Sequence, residues 1–179
     1  ILLPDNEACL RLPGIDGKAK MSKSLGNCIY LAEDPKDIKK KVMSMFTDPN
    51  HIRIEDPGSL EGNTVFTYLD AFCNDQHFEE YLPDYKNLDE LKEHYQRGGL
   101  GDVKVKKFLN NVLQEELEPI RKRREELQKD IPYVYEVLKK GSEVARETAA
   151  QTLHEVRDAM KINYFDDMEL IRSQAKKYE

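Results

Sequence analysis

The sequence around which the chain is organised reads Lys18-Ala19-Lys20-Met21-Ser22-Lys23-Ser24-Leu25-Gly26-Asn27. Gly14 and Gly17 precede this stretch and Gly26 lies near its end, a composition that predicts a mobile loop. Its ammonium groups repel one another, and a bound anion would offset that repulsion. Lysine often binds phosphate as a point charge with three donors, and the serines add hydroxyl donors. On chemistry alone, the stretch is therefore either a polyphosphate clamp or a solvated, lysine-rich turn.

The composition indicates a soluble, helix-rich protein. The chain has 179 residues, with 39% hydrophobic and 35% charged residues and a formal net charge of −6. This length suffices for one domain with a core, or for a domain with a small attached piece. No run of about 18 apolar residues occurs, so neither a membrane span nor a signal peptide is predicted.

The charge distribution indicates an anionic ligand near one end. The net charge counts against a basic footprint over the whole chain, but between Lys18 and Lys41 seven lysines stand against three carboxylates. A local excess of positive charge is enough to attract an anion such as phosphate or nucleic acid.

The cysteines and histidines do not form a recognisable metal or disulfide pattern. Cys9, Cys28 and Cys73 are odd in number and widely spaced, which predicts reduced thiols in a cytosolic protein. The four histidines, at positions 51, 77, 94 and 154, include no pair at metal-ligand spacing. No metal site is predicted.

The pentapeptide Lys20-Met21-Ser22-Lys23-Ser24 matches letter for letter the KMSKS signature of class I aminoacyl-tRNA synthetases. The flanking sequence Arg11-Leu12-Pro13-Gly14-Ile15-Asp16-Gly17 is similar to that of the bacterial tryptophanyl-tRNA synthetases. So is the later run Lys40-Lys41-Val42-Met43-Ser44-Met45-Phe46-Thr47-Asp48-Pro49. The similarity extends to residues 25–27, 29–31, 98–102 and 117–120. The chain thus resembles this family over nearly its whole length.

The resemblance implies a two-step reaction in which tryptophan and ATP give tryptophanyl adenylate and pyrophosphate, and the tryptophan is then transferred to tRNA(Trp). It implies that Lys20 and Lys23 are catalytic and stabilise the charge of the leaving pyrophosphate. Met21, Ser22 and Ser24 would complete the contact with ATP. Mg²⁺ would be carried with ATP rather than held by a protein metal site.

The resemblance also implies partners and a cellular location. The expected partners are tRNA(Trp) and, in the complete enzyme, tryptophan and ATP, without a membrane. The complete enzyme is expected to be a cytoplasmic homodimer. The oligomeric state of this portion alone stays open.

The other class I signature, a His-x-Gly-His sequence, does not occur in the chain. In the family, this signature and the tryptophan pocket precede the KMSKS loop, and the opening Ile1-Leu2-Leu3-Pro4 is typical of an interrupted strand. We therefore expect the chain to be the C-terminal portion of a synthetase, beginning just before the loop. Alone, it is expected neither to form adenylate nor to bind tryptophan.

The predicted fold is mainly α-helical. Residues 1–33 are interpreted as the truncated tail of a Rossmann-like α/β catalytic domain that carries the loop. Residues 34–179 are interpreted as an α-helical, tRNA-binding domain, a helical bundle. Asp34 and Pro35 predict the start of its first helix, whose apolar face carries Ile38, Val42, Met45 and Phe46. Lys39, Lys40 and Lys41 lie off this face, either in solvent or in contact with phosphate.

Further helices follow from the apolar period and from cap residues. They are predicted at 63–72, at 88–97, from a cap at Asp102 to about 127 with a kink at Pro119, at 131–140 ending at Gly141, from a cap at Ser142 to 160, and within 163–179. Residues 74–87 are predicted to be loop-like, with room for one helical turn. The turn Gly98-Gly99-Leu100-Gly101 is interpreted as structural, because no P-loop spacing follows it.

A basic cluster, Arg121-Lys122-Arg123-Arg124, follows Pro119. Glu125 and Glu126 stand four residues after its first two members, where each pair contributes a few tenths of a kcal/mol. The cluster is therefore either a solvated, self-paired helix face or a contact to tRNA. The resemblance favours the second reading in part, because it places the family's anticodon-binding helices here, where phosphate contacts would position the RNA.

Two alternative functions stay open. One is a tyrosyl-tRNA synthetase relative, against which the tryptophan-type flanks around Arg11 and Thr47 argue. The other is a non-catalytic helical paralogue with a tRNA-binding or regulatory role, against which the intact Lys20 and Lys23 argue. The sequence upstream of Ile1 would discriminate between them, since it would carry or lack the histidine signature.

Overall fold

The computed structural model describes residues 11–18 and 20–178, which form a mainly helical protein. Within this part of the chain seven helices follow one another: α1 Pro35–Met43, α2 Thr64–Phe72, α3 Asp75–Tyr81, α4 Leu88–Arg97, α5 Asp102–Gln128, α6 Ile131–Met160 and α7 Met168–Ala175. These residues contain no β-strand, only an isolated antiparallel bridge between Pro13 and Lys20. The mainly α-helical fold is thus confirmed, while the strand expected at Ile1 lies outside the described residues.

Side-chain caps mark the starts of the helices. Asp34 accepts the backbone N–H two residues later at 2.8 Å, with Pro35 in the first turn of α1. Asn63 caps α2 in the same way at 3.2 Å, and Asn87 accepts the N–H three residues later before α4 at 3.0 Å. A cap satisfies a backbone donor that has no partner inside the helix. The helix starts predicted at these residues are confirmed.

Helix α3 corrects the prediction that residues 74–87 are loop-like. Asn74 accepts the backbone N–H of His77 at 3.2 Å, and His77 Nδ1 accepts the N–H of Asn74 at 3.1 Å, which closes a capping box. Phe78 then packs against Phe108 with ring centroids 4.7 Å apart. The helix has only seven residues, too few to show an apolar period in the sequence.

The chain forms two compact units that divide after Glu125. The core of the first unit is built from α1 to α5 and the segments between them. Its most deeply buried side chains are Ile38, Val42, Met45, Val65, Phe66, Leu69, Phe78, Leu91, Tyr95, Leu100, Val105 and Leu109. Phe46, predicted to share the buried face of α1, is 37% exposed because α1 ends at Met43.

Helix α5 contributes its first half to this core. Its buried residues are Val105, Phe108, Leu109, Val112, Leu113 and Leu117. The predicted apolar face continued to Ile120 and Leu127, but Ile120 is 41% exposed, so the core face ends about a turn earlier. Asp102, predicted as the cap of this helix, is its first residue and uses its carboxylate in tertiary contacts described below. The kink at Pro119 stays a prediction.

Helix α6 runs without a break through Gly141, where the sequence predicted one helix to end and Ser142 to cap another. Glycine in a helix interior costs about 1 kcal/mol relative to alanine, but it does not by itself end a helix. Asp130 caps the start of α6 by accepting the N–H of Tyr133 at 3.0 Å. Lys161 closes its end with a left-handed φ of 55°. The prediction of two separate helices was therefore wrong.

The second unit contains α6 and α7, and none of the residues in these two helices is buried. Several large apolar side chains of α6 are open to solvent, among them Tyr135 and Val144 at 70% and 64% exposure. Helix α7 confirms the short helix predicted within residues 163–179. None of the helices in the described part of the chain is both long and apolar enough to cross a membrane. The domain boundary predicted after residue 33 stays a prediction.

Candidate functional site

The lysine-rich stretch forms a loop with a turn at residues 23–26. The N–H of Gly26 donates to the carbonyl of Lys23 at 3.2 Å, and Gly26 has a φ of +65°, a conformation that glycine adopts without strain. Lys20 takes part in the isolated bridge with Pro13. The loop therefore has a defined backbone on both sides of its turn.

Asn27, which is 5% exposed, ties the two sides of the loop together. Its Oδ1 accepts the N–H of Ser22 at 2.8 Å. Its Nδ2 donates to Asp16 Oδ1 at 3.2 Å and to the carbonyl of Lys20 at 3.4 Å. A Cβ at position 14 would lie 2.2 Å from Asn27 Nδ2, so the amide needs Gly14 beside it. This buried side chain is the main polar anchor of the loop.

The charged groups of the loop point to an anion as its ligand. Lys18, Lys20 and Lys23 are exposed, and in the described part of the chain no carboxylate pairs with their ammonium groups. The hydroxyls of Ser22 and Ser24 lie 2.8 Å apart and hydrogen-bond each other. Exposed ammonium and hydroxyl donors on a fixed turn are the groups that bind phosphate oxygens.

Two hydrogen bonds join the segment before the loop to the helical part of the first unit. The N–H of Phe46, just after α1, donates to the carbonyl of Ile15 at 2.9 Å. The hydroxyl of Tyr68, on α2, donates to the carbonyl of Pro13 at 2.8 Å, and burial raises the pKa of Tyr68 to about 12. Met21 packs, partly buried, against the core. The segment that leads into the loop is thus joined to α2 and to the residues just after α1.

Two of the three neighbouring lysines on α1 are engaged within the chain. Lys41 donates to the carbonyl of Cys28 at 2.8 Å and pairs with Glu33 Oε1 at 2.5 Å. Lys40 pairs with Asp37 Oδ1 at 2.8 Å, and this pairing lowers the pKa of Asp37. Lys41 therefore fixes the segment that leaves the loop, a role that neither interpretation of the sequence included.

The predicted tRNA-contacting cluster, Arg121-Lys122-Arg123-Arg124, lies near the end of α5. Arg121 Nη2 donates to the carbonyl and to Oε1 of Gln114, at 3.2 and 3.0 Å. Lys122 Nζ lies 2.7 Å from Glu118 Oε1. Both side chains bind residues that precede them, whereas the sequence predicted partners that follow them. Arg124 is exposed, and the role of the cluster in RNA binding stays a prediction.

The thiols of Cys28 and Cys73 are free, as predicted, and burial raises the pKa of the Cys73 thiol to about 12. Cys9 lies outside the described residues. Within the part of the chain that the structure describes, no cluster of histidine, cysteine and carboxylate side chains could hold a metal ion. The chemistry available at the loop is therefore that of ammonium and hydroxyl donors.

Sequence reasoning missed Asn27 and Lys41 as parts of the site. Asn27 follows Gly26, and such a pair is common in ordinary turns, so its amide carried no distinct signal. Lys41 was one of several lysines on a helix, and only the fold shows which of them turns inward. Asn27 holds the backbone of the loop, and Lys41 holds the segment that follows it.

A KMSKS loop that precedes a helical unit is typical of class I aminoacyl-tRNA synthetases. The family whose model matches residues 6–118 is described as tRNA synthetases class I (W and Y). The chain belongs to this family.

Its relatives are of the tryptophan type. The tryptophan–tRNA ligase of Clostridium longisporum is 65% identical over 158 residues, which cover 88% of this chain and 44% of the relative. The enzyme of the same name from Streptococcus agalactiae serotype V is 57% identical over 164 residues, covering 92% of this chain and 46% of the relative. The chain thus spans a little under half the length of these curated relatives, and the resemblance to tryptophanyl-tRNA synthetases is confirmed.

A solved structure agrees with these relatives. The tryptophanyl-tRNA synthetase of Campylobacter jejuni, in complex with ADP and tryptophan, superposes with a TM-score of 0.63 at 27% identity. The match covers 84% of this chain and 43% of that chain. The helical arrangement described above is therefore shared with a member of the family.

Proposed function

We propose that this chain is the part of a tryptophan–tRNA ligase that binds the phosphates of ATP and contacts tRNA(Trp). The observation that carries the proposal is the loop itself. Its ammonium groups are exposed and unpaired by any described carboxylate, and a buried amide holds its backbone. The names of the relatives supply the substrates, since those proteins are tryptophan–tRNA ligases.

In the first step, the carboxylate of tryptophan attacks the α-phosphate of ATP and pyrophosphate leaves. Lys20 and Lys23 stabilise the negative charge that grows on the leaving group, and such electrostatic stabilisation is usually the largest single contribution of a protein to catalysis. Met21, Ser22 and Ser24 contact the nucleotide. The loop supplies no carboxylate ligand, so Mg²⁺ would be bound by the phosphates of the ATP with which it arrives.

The remaining parts of the proposal concern the complete protein that contains this chain. The portion upstream of the loop would supply the tryptophan pocket, and the 179-residue chain alone would not form adenylate. Residues 34–179 would contact tRNA, with Arg121-Lys122-Arg123-Arg124 as one candidate surface. The complete protein would act in the cytoplasm as a homodimer.

The test is ATP–pyrophosphate exchange by the complete protein. Lys20→Ala and Lys23→Ala should each slow the exchange roughly a hundred- to a thousand-fold, the usual cost of losing one such electrostatic donor. Lys36→Ala is the matched control, because Lys36 is an exposed lysine outside the loop. An exchange rate near wild type in the Lys20→Ala/Lys23→Ala double variant would overturn the proposed role of the loop.

A further inference from the structure

The segment that leaves the lysine-rich loop is attached to α1 by the side chain of Lys41. Its Nζ donates to the carbonyl of Cys28 at 2.8 Å and pairs with Glu33 Oε1 at 2.5 Å. The same Nζ lies 4.8 Å from the centroid of the Tyr30 ring, a distance at which a cation is attracted to the face of the ring. One ammonium group thus contacts three residues that together span most of the segment between the loop and α1.

Glu33 fixes the same segment from the other side of the ion pair. Its Oε2 accepts the backbone N–H of Tyr30 at 3.1 Å, and its own N–H donates to the carbonyl of Tyr30 at 3.2 Å. The side chains of Lys41 and Glu33 are 21% and 14% exposed, whereas those of the neighbouring pair, Lys40 and Asp37, are 77% and 52% exposed. A pair that is shielded from water is screened less by salt, and the loss of one partner leaves the other charge uncompensated. The Lys41–Glu33 pair is therefore the stronger attachment of the two.

The carbonyl that Lys41 holds lies next to the polar anchor of the loop. Cys28 directly follows Asn27, whose Nδ2 donates to the carbonyl of Lys20 at 3.4 Å. The backbone carbonyl of Asn27 accepts the N–H of Ile15 at 2.9 Å. Asn27 is thus held on one side through Ile15 and on the other through Cys28. A shift of the Cys28 carbonyl would move the amide of Asn27 and with it the backbone that carries Lys20.

We propose that Lys41 and Glu33 are positioning residues for adenylate formation, which hold the backbone of the loop so that its motif lysines meet the leaving pyrophosphate. The inference rests on the proposed function, since it takes Lys20 and Lys23 to act on ATP. Lys41 acts through the Cys28 carbonyl rather than on the nucleotide, because two of its three donors are bound within the chain and Glu33 balances its charge. Misplacing a reacting group by about 1 Å can cost on the order of a hundred-fold in rate.

The first test measures ATP–pyrophosphate exchange by the complete protein, with kcat and the KM for ATP determined separately. Lys41→Met removes the ammonium group and keeps the apolar stem. Its kcat should fall roughly ten- to a hundred-fold, while its KM for ATP should change by less than about twofold, because the lost effect belongs to the transition state. The matched control, Lys40→Met, breaks the exposed pair with Asp37 and should leave both values near wild type. Equal kcat values for the two variants would overturn the proposal.

A double-mutant cycle separates positioning from a loss of folded protein. If Lys41 acts through the backbone of Lys20, then Lys41→Met should slow exchange by a smaller factor in a Lys20→Ala background than in the wild type. A loss of folded protein would instead lower the rate by the same factor in both backgrounds. Equal factors would therefore mean that Lys41 has a structural role alone. Circular dichroism at the assay temperature reports the folded fraction of each variant.

The part played by Glu33 is tested in the same assay. Glu33→Gln removes the charge but keeps an acceptor for the N–H of Tyr30. Since the pair acts as one unit, Glu33→Gln/Lys41→Met should exchange no more slowly than Lys41→Met alone. A rate reduced by the product of the two separate losses would contradict the shared role of Glu33.

The outcome is separable from that of the proposed function. Wild-type exchange in Lys20→Ala/Lys23→Ala would overturn the proposed role of the loop, and the positioning role with it. Slow exchange in that double variant together with a normal kcat for Lys41→Met would overturn the positioning role alone.

Discussion

Asn27 shows how much of the loop depends on one side chain. Its amide accepts from the backbone of Ser22 and donates towards Lys20 and Asp16, and it is buried where water cannot replace these partners. The two proposed catalytic lysines flank Ser22 and project from the backbone that this amide holds. Their placement is therefore a property of Asn27 as much as of the lysines themselves.

We predict that Asn27→Ala destabilises the 179-residue chain by about 1–3 kcal/mol, because buried backbone groups lose their partners. In the complete protein the same substitution should also slow pyrophosphate exchange, since Lys20 and Lys23 lose their fixed backbone. Urea unfolding followed by circular dichroism measures the first effect. Ser24→Ala is the control, because Ser24 is exposed and loses only its bond to Ser22. Equal unfolding midpoints for the two variants would contradict this role of Asn27.

Among individual residues, the sequence alone pointed to those that belong to a recognisable motif. Lys20 and Lys23 were singled out because the KMSKS motif is specific, and their catalytic role stays a prediction. Arg121 was misjudged in its pairing, because its partner Gln114 lies seven residues earlier, beyond the one-turn spacing that governs helix surface pairs. Its guanidinium can reach that far only because it folds back along α5.

Among the helices, the predicted boundaries were right where a cap residue was present. Asp34, Asn63 and Asn87 each bind a backbone donor at the expected place. The errors fell on α3, whose capping box uses a histidine where glutamate or glutamine is usual, and on α6, where Gly141 was taken for a terminator. The cap residues Asp34, Asn63 and Asn87 were thus reliable signals, whereas Gly141 did not mark the end of a helix.

We predict that Gly141→Ala stabilises α6 by about 0.5–1 kcal/mol, because alanine loses less backbone freedom on entering a helix. Apart from its chain neighbours and the nearby backbone of α6 itself, no heavy atom of the described residues lies within 4 Å of the position that the new Cβ would take, so no clash offsets the gain. Thermal unfolding followed at 222 nm measures the change. Ala150→Gly, also exposed on α6, is the reverse control and should lower the melting temperature. A lower melting temperature for Gly141→Ala would mean that the glycine is needed where it stands.

For the molecule as a whole, Asp102 joins segments that are far apart in sequence. Its carboxylate accepts from Thr47 Oγ1 at 3.1 Å and from the hydroxyl of Tyr95 at 2.7 Å, and it faces His51 Nδ1. Tyr95 Oη also accepts from Asn63 Nδ2 at 3.2 Å. Burial and the bond to Asp102 raise the pKa of Tyr95. One carboxylate thus connects the start of α5 with α4 and with the connection that follows α1.

We predict that Asp102→Ala lowers the free energy of unfolding by about 2–4 kcal/mol, because several buried donors lose a charged acceptor together. Glu93→Ala removes a carboxylate from an exposed position on α4 and should change stability by less than about 0.5 kcal/mol. Equilibrium urea unfolding of the 179-residue chain compares the two. Equal midpoints would contradict the role of Asp102 in joining the segments.

The family and the mainly helical fold could be predicted from the sequence, because a specific motif and a regular apolar period are both local. The groove lined by residues 51–54 and the start of α5 could not be predicted in this way. Residues 51–54, which show no regular pattern in the sequence, form one wall of this groove. The turn at 99–101, which was interpreted as structural only, also lines it. His51 and Asp102 are 51 residues apart in sequence but lie 3.3 Å apart, and no spacing along the chain encodes that approach.

The hydrogen bonds that Asn27 makes have a thermodynamic consequence for any ligand of the loop. Fixing the backbone of a flexible residue costs about 1–2 kcal/mol of conformational entropy, and a ligand that orders a loose loop must offset this for every residue it immobilises. Here the turn at residues 23–26 is already joined to the buried amide through Ser22. These bonds restrict the backbone of the turn before an anion arrives, so less of the energy of its contacts is lost in ordering it. The mobility predicted for the rest of the loop stays a prediction.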